Sequence, residues 1–217
     1  MNIHTVITAD IIGSRERKQL SAYLREKLQD LNREVQTAYS FTQLRGDEVQ
    51  GVLAGHLPRK LPVVVRYLRY HLLPCRVRVG IGAGGIDRDE NIDNPWELNG
   101  PAFHRAREAV KLLEAEAEQQ TGVRTESGAV DKVMNSLWLL LDLRQSQWSD
   151  RQWQAIYAYE QEGTYKEAAA GLGIALQNVA KRCRAADWQQ FQRAEKNMQE
   201  ILDLFARGEL IAVRGGD

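Results

Sequence analysis

The sequence predicts an α+β domain followed by an all-α segment, and three observations carry that expectation. Over the first 127 residues, short apolar runs rich in β-branched residues alternate with segments whose apolar residues recur at helical spacing. Gly46-Asp47 stands between two such runs, as hairpin turns require. Beyond residue 128 the strand signal stops, and helical segments follow one another across short polar breaks. The expected organisation is a domain over residues 1–127, a connecting helix over 128–147 and a helical domain over 148–217.

Residues 3–10 read as a buried first strand that ends in Asp10 and is broken by Gly13-Ser14. Ser14 is a good N-cap for a helix over residues 15–38, with Leu20, Leu24, Leu28, Leu31 and Val35 at helical spacing. Residues 39–44 and 49–54 form the hairpin. Pro58 and Pro62 frame the start of a helix carrying Val64, Val65, Leu68 and Leu72, which Pro74 ends. Residues 76–82 alternate as a half-buried strand, and Pro101 opens a helix that runs to about residue 120. A short strand over residues 123–125 completes the sheet. This order predicts a sandwich of ferredoxin-like type with helices on one face of the sheet. Gly80, Gly82 and Gly85 spell a G-x-G-x-x-G, but no helix begins there. They are expected to let a neighbouring strand or a ligand approach at close range.

Composition excludes some functions. Lys+Arg and Asp+Glu are equal at 29 each, so no global basic field argues for nucleic acid, and any such case must be local. The only cysteines, Cys75 and Cys183, are expected to be reduced thiols. No apolar stretch is long enough to cross a bilayer, so a soluble, cytoplasmic protein with no membrane partner is expected.

Two carboxylates then stand out. Asp10 closes a β-branched strand, where a charge is costly without a partner, and Asp47 sits in the hairpin turn that strand would face. Paired aspartates on neighbouring strand ends suit a hard cation that leaves positions open for phosphate oxygens. Backbone N–H groups around Gly13, Ser14 and Arg15 are placed to meet phosphate. Glu48 is either a third oxygen ligand or a solvent-facing residue.

Ala9-Asp10-Ile11-Ile12-Gly13-Ser14 and Gly46-Asp47, in that order and with Arg78 to Gly82 after them, resemble the metal-binding strand and hairpin of class III nucleotide cyclases. The resemblance covers about the first 120 residues. It implies that Asp10, Asp47 and the Ile11 carbonyl hold magnesium or manganese, with a nucleoside triphosphate as ligand. It also places Gln43 and Glu97 at base-selecting positions. Where the cyclase helix presents an asparagine and an arginine, this chain has His104 and Glu108. His104 and Arg107 are the catalytic candidates, and Arg105 or Arg107 could replace the missing cation or lie on the surface.

In the C-terminal third, Thr164 opens Thr-x-x-Glu, a capping box, ahead of Ala168-Ala169-Ala170-Gly171-Leu172-Gly173-Ile174. With residues 176–186 this resembles the helix-turn-helix of sigma-factor-type DNA-binding domains. The resemblance implies that Gln177, Asn178, Lys181, Arg182 and Arg184 face DNA, with no acid until Asp187. The alternative is a helical hairpin making protein contacts only. A long amphipathic helix over residues 188–207 ends the pattern. The whole chain resembles the small bacterial SatD family. Two readings follow: a homodimeric DNA-binding regulator that senses a nucleotide with metal, or an active metal-dependent cyclase or related phosphoryl-transfer enzyme.

Overall fold

The computed structural model describes residues 3–14, 19–44, 46–87, 98–115 and 119–209. Its architecture is α+β. Strands β1 (Ile3–Ile11), β2 (Tyr39–Gln43), β3 (Glu48–Ala54), β4 (Val77–Gly85) and β5 (Thr121–Arg124) form one sheet in the order β2-β3-β1-β4-β5. β1 is antiparallel to β3 and β4, β2 is antiparallel to β3, and β5 joins β4 in parallel. Gly46, at φ +61°, supplies the left-handed residue that the β2–β3 turn needs.

Helices α1 (Leu20–Glu34) and α2 (Leu61–His71) cover one face of the sheet, and α3 (Pro101–Leu113) covers the other. Strand alternation explains the division. Ile7, Ala9 and Ile11 point to Leu24, Leu28, Leu31, Val65 and Leu68, whereas Val6 and Val52 point to Ala102, Phe103 and Ala106. The expectation of helices on one face only is therefore corrected, and the glycines of β4 are the reason. A β-carbon on Gly82 would stand 2.1 Å from the Ala102 carbonyl oxygen, and one on Gly80 would stand 2.2 Å from that of Ala106. These glycines therefore admit a helix, α3, rather than the neighbouring strand or ligand expected of them. Gly82→Ala is accordingly expected to cost about 3 kcal/mol, the upper range for overpacking a filled site, read as a lower midpoint in urea with an unchanged slope.

Two helix boundaries also differ from the sequence reading. α1 begins at Leu20 behind a left-handed Gln19 and stops at Glu34, where Val35 turns extended, short of the expected end at residue 38; residues 15–18 of the expected helix lie outside the described residues. α3 ends at Leu113 rather than near residue 120.

Helices α4 (Gly128–Gln145), α5 (Asp150–Glu162), α6 (Tyr165–Leu172), α7 (Leu176–Ala185) and α8 (Trp188–Ala206) follow. Their ends are set by local chemistry. Ser149 and Gln152 form a complete capping box, Thr164 accepts from the Glu167 N–H, and Gly163 and Gly173 close α5 and α6 in the left-handed region. Among the described residues no helix is long and apolar enough to cross a membrane.

One apolar core runs from β1 through α2 to Trp188, Phe191 and Leu202 of α8. α2 lies in the middle of it, buried on the sheet side by Val65 and Leu68 and on the far side by Arg66 and Arg69. Both arginines are matched by carboxylates from the C-terminal helices. Arg66 makes paired bonds to Glu195 of α8 at 2.9 and 3.0 Å and also binds Glu160 of α5. Arg69 meets Asp142 of α4 at 2.6 Å, and Gln145 and Thr121 besides. Burial works against the Arg66 charge, and Glu195 with Glu160 more than restores it, so its pKa rises above the ordinary value.

Candidate functional site

The end of β1 and the β2–β3 turn bring the two sequence-predicted aspartates together. The Ile11 N–H donates to the Asp47 carbonyl at 3.3 Å, drawing the turn onto the strand end. Asp10 stands in register with Glu48 on β3 and Arg78 on β4. The Arg78 guanidinium approaches the Asp10 carboxylate at 3.2 Å, and the Ser14 hydroxyl donates to the Asp47 carboxylate. Burial pushes the Asp10 carboxyl above the usual carboxylate range and the Asp47 charge pushes it further, while Arg78 pulls the other way. Two acidic groups that repel each other across a partly buried strand end are the electrostatic condition a cation relieves.

Glu48 belongs to the same group. Its Oε1 is buried without a hydrogen-bond partner, and the nearest cation is the Arg107 Nε at 4.0 Å. Arg107 is thus the residue of α3 that reaches this end of the sheet. Arg105 is committed elsewhere, to the Ala83 carbonyl at 2.6 Å and to Glu126. His104 is exposed, and Glu108 faces Arg124 at 3.7 Å. Gln43 donates to the Ser21 hydroxyl at 3.0 Å and to the Gly46 carbonyl, so its amide stabilises the hairpin. Gly13, at φ +72°, is exposed beside Ser14. Arg15 and Glu97 lie outside the described residues.

The candidate donors, the carboxylates of Asp10 and Asp47 with the Ile11 carbonyl, would all be oxygen. That chemistry fits a hard divalent cation. No group of three or more His, Cys, Asp or Glu side chains poised for a metal occurs among the described residues. The protein's contribution would therefore be small, with remaining positions left to a ligand's oxygens.

The second candidate surface is α7. Ala168 and Ala169 of α6 are buried, as are Val179 and Cys183 of α7, so small residues set a close crossing of the two helices. Burial pushes the Cys183 thiol up to about 11, which leaves it an inert core thiol. Gln177, Asn178, Lys181 and Arg184 are exposed and Arg182 is half-buried. Among the described residues none of the three cations is in an ion pair with a carboxylate. α7 also starts without a side-chain cap.

A family model described as the SatD family matches residues 4–202. The chain belongs to the SatD family. No curated protein matches it. In this SatD protein the match runs from β1 into α8, so the carboxylate pair and α7 both lie within it. Sequence reasoning had missed Arg78 as the partner of Asp10. The alternation of Arg76 to Val79 shows that Arg78 shares a face with Arg76. Only the β1–β4 register shows which side chain it meets.

Proposed function

We propose that this SatD protein is a DNA-binding regulator whose sheet domain, a ferredoxin-like sandwich of class III cyclase type, binds a nucleoside triphosphate with magnesium or manganese. The observation that carries the reading is the juxtaposition of Asp10 and Asp47 at one strand end, where the Asp47 charge adds to the cost of ionising the partly buried Asp10. A divalent cation supplies the countercharge and a bridge to phosphate oxygens. This chain's residues then have distinct parts. Asp10, Asp47 and the Ile11 carbonyl hold the ion, Ser14 orients Asp47, and Gly13 leaves room for phosphate. Arg78 supplies one positive charge to Asp10 and is available to a phosphate once a metal takes that place.

The regulator reading is favoured over turnover by α3. Glu108 is turned to Arg124 and His104 to solvent, so neither offers the fixed positive charge that a pentavalent phosphate needs. Arg107, beside Glu48, is the specific observation that keeps the enzyme reading in view. Product analysis after incubating the purified protein with each nucleoside triphosphate, magnesium and manganese separates the two. We expect no cyclic nucleotide. A cyclic product that disappears in Asp10→Ala would establish the enzyme instead.

For DNA, the exposed cations of α7 are the warrant. They form a local basic face in a protein of zero formal net charge. Lys181→Ala is expected to weaken binding to all sequences alike and to lower the salt slope by about one, because it removes one phosphate contact. Asn178→Ala should instead relax sequence preference, costing about 1–3 kcal/mol on a specific site. Gel shifts across a salt series read both. Absence of binding to any duplex at low salt would leave α6 and α7 as protein-contact helices. A homodimer, with paired α7 helices on paired half-sites, completes the reading.

A further inference from the structure

α4 carries more apolar residues than its own fold uses. Its inward line is Val130, Met134, Trp138 and Leu141, with Asp131, Asp142 and Gln145. On the opposite side Val133, Leu140 and Leu143 are 45%, 66% and 38% exposed, and Ala129 and Ser136 on the same side are exposed too. These five positions, 129, 133, 136, 140 and 143, are spaced four, three, four and three residues apart. That is the spacing of a coiled-coil seam, and it selects another helix as the surface that would cover it.

We infer that α4 is the homodimer face, pairing antiparallel with α4 of a second copy. Size and charge both favour this occupant. When the seam is laid antiparallel on itself with each d position opposite an a position, Val133 faces the partner subunit's Leu143, and the small Ser136 faces the partner subunit's Leu140. Bulky residues thereby meet smaller ones in every central layer. The Ser136 hydroxyl already donates to the Lys132 carbonyl at 2.8 Å, so it can enter an apolar seam without losing a partner. No charge lies within the seam. Lys132, on its flank, meets the partner subunit's Ser146, and the two lysines stand at opposite ends of the helix pair.

The C-terminal end of α4 is also tied to the end of α7. Arg144, at the end of α4, donates to the Ala185 and Ala186 carbonyls at 3.0 and 3.2 Å and pairs with Asp187 at 2.7 Å. Trp148 donates to the Ala186 carbonyl at 2.9 Å. Joining two α4 helices would therefore set two α7 helices in one fixed relation. α4, 18 residues and so about 27 Å long, would bury on the order of 1,000 Å² in total along this seam, the low end of specific interfaces. Holding both copies on one DNA would tighten the pair further.

This inference rests on the dimer in the proposed reading but needs neither nucleotide nor DNA to test. Sedimentation of the full chain over a micromolar concentration series should show a monomer–dimer equilibrium that Leu140→Glu shifts at least tenfold toward monomer. Because Leu140 is exposed, the circular dichroism and thermal midpoint of that variant should match the unaltered protein. Direction is read by oxidative cross-linking. Val133→Cys and Leu143→Cys proteins mixed together should form a covalent dimer that neither forms alone. A monomer at every concentration would sink the dimer as a whole. A dimer that survives Leu140→Glu, or single variants that cross-link with themselves, would overturn the α4 antiparallel face and leave the nucleotide and DNA readings untouched.

Discussion

Replacing Arg66 with methionine is expected to cost about 3–5 kcal/mol, because it leaves Glu160 and Glu195 buried without their shared cation. The loss goes beyond one bond. Arg66 is 2% exposed, packs at 5.0 Å from the Trp188 ring and joins α2 to both α5 and α8. Without it the C-terminal helices have two like charges against the layer they pack on. The pH dependence carries the signature. Burial already places the Glu160 carboxyl above its ordinary value against the pull of Arg66. Removing Arg66 raises it further. A carboxyl whose folded pKa lies above the unfolded one contributes stability that is fully present below the unfolded value and lost as pH rises through the folded one. The penalty for Arg66→Met should therefore grow from mildly acidic to neutral pH, measured by urea denaturation at each. Converting Glu160 to Gln and Glu195 to Leu in the same chain should recover most of it, since a buried ion network can be exchanged for neutral groups at little cost. A single variant as stable as the parent at neutral pH would mean that the triad does not hold the two parts together.

Asp10→Asn is expected to separate stability from binding. The Asp10 carboxyl, raised by burial and by Asp47, is a group the fold holds at a cost when charged. Its contribution to stability is fully present below the ordinary carboxylate value and lost as pH rises through the raised one, so at neutral pH the neutral amide should leave the fold at least as stable. Metal binding moves oppositely. It requires the ionised carboxylate, weakens as pH falls through that raised pKa, and in Asp10→Asn should fall by several kcal/mol, about 100-fold or more. Thermal melts with and without magnesium, in both proteins, read the two effects side by side. A variant that loses stability and metal response together would indicate a structural role for Asp10 instead.

Much of this was legible in the sequence where the signal is local. The β-branched run into Asp10, the glycine turn beside Asp47 and the Thr164 cap of α6 each act within a few residues, and the structure places each as expected. What was not legible depends on partners far along the chain. Arg66 reads as an ordinary surface residue of an amphipathic helix until Glu160 and Glu195, 94 and 129 positions away, are seen against it. The apolar content of α4 predicts burial, but Val133 and Leu140 do not face this chain's core. Composition cannot tell a residue buried by its own fold from one awaiting a neighbour. Gly80 and Gly82 announced a close approach without saying that a helix on the second face of the sheet would make it.

The carboxylate pair is the centre of the functional account, and calorimetry of a nucleoside triphosphate titrated into the full chain tests it most directly. In magnesium, heat of binding is expected and should vanish in Asp10→Asn; in chelator, Asp10 and Asp47 should repel the triphosphate and no binding should be seen. Equal affinity in magnesium and in chelator would contradict the account, because the two aspartates would then not be a metal site.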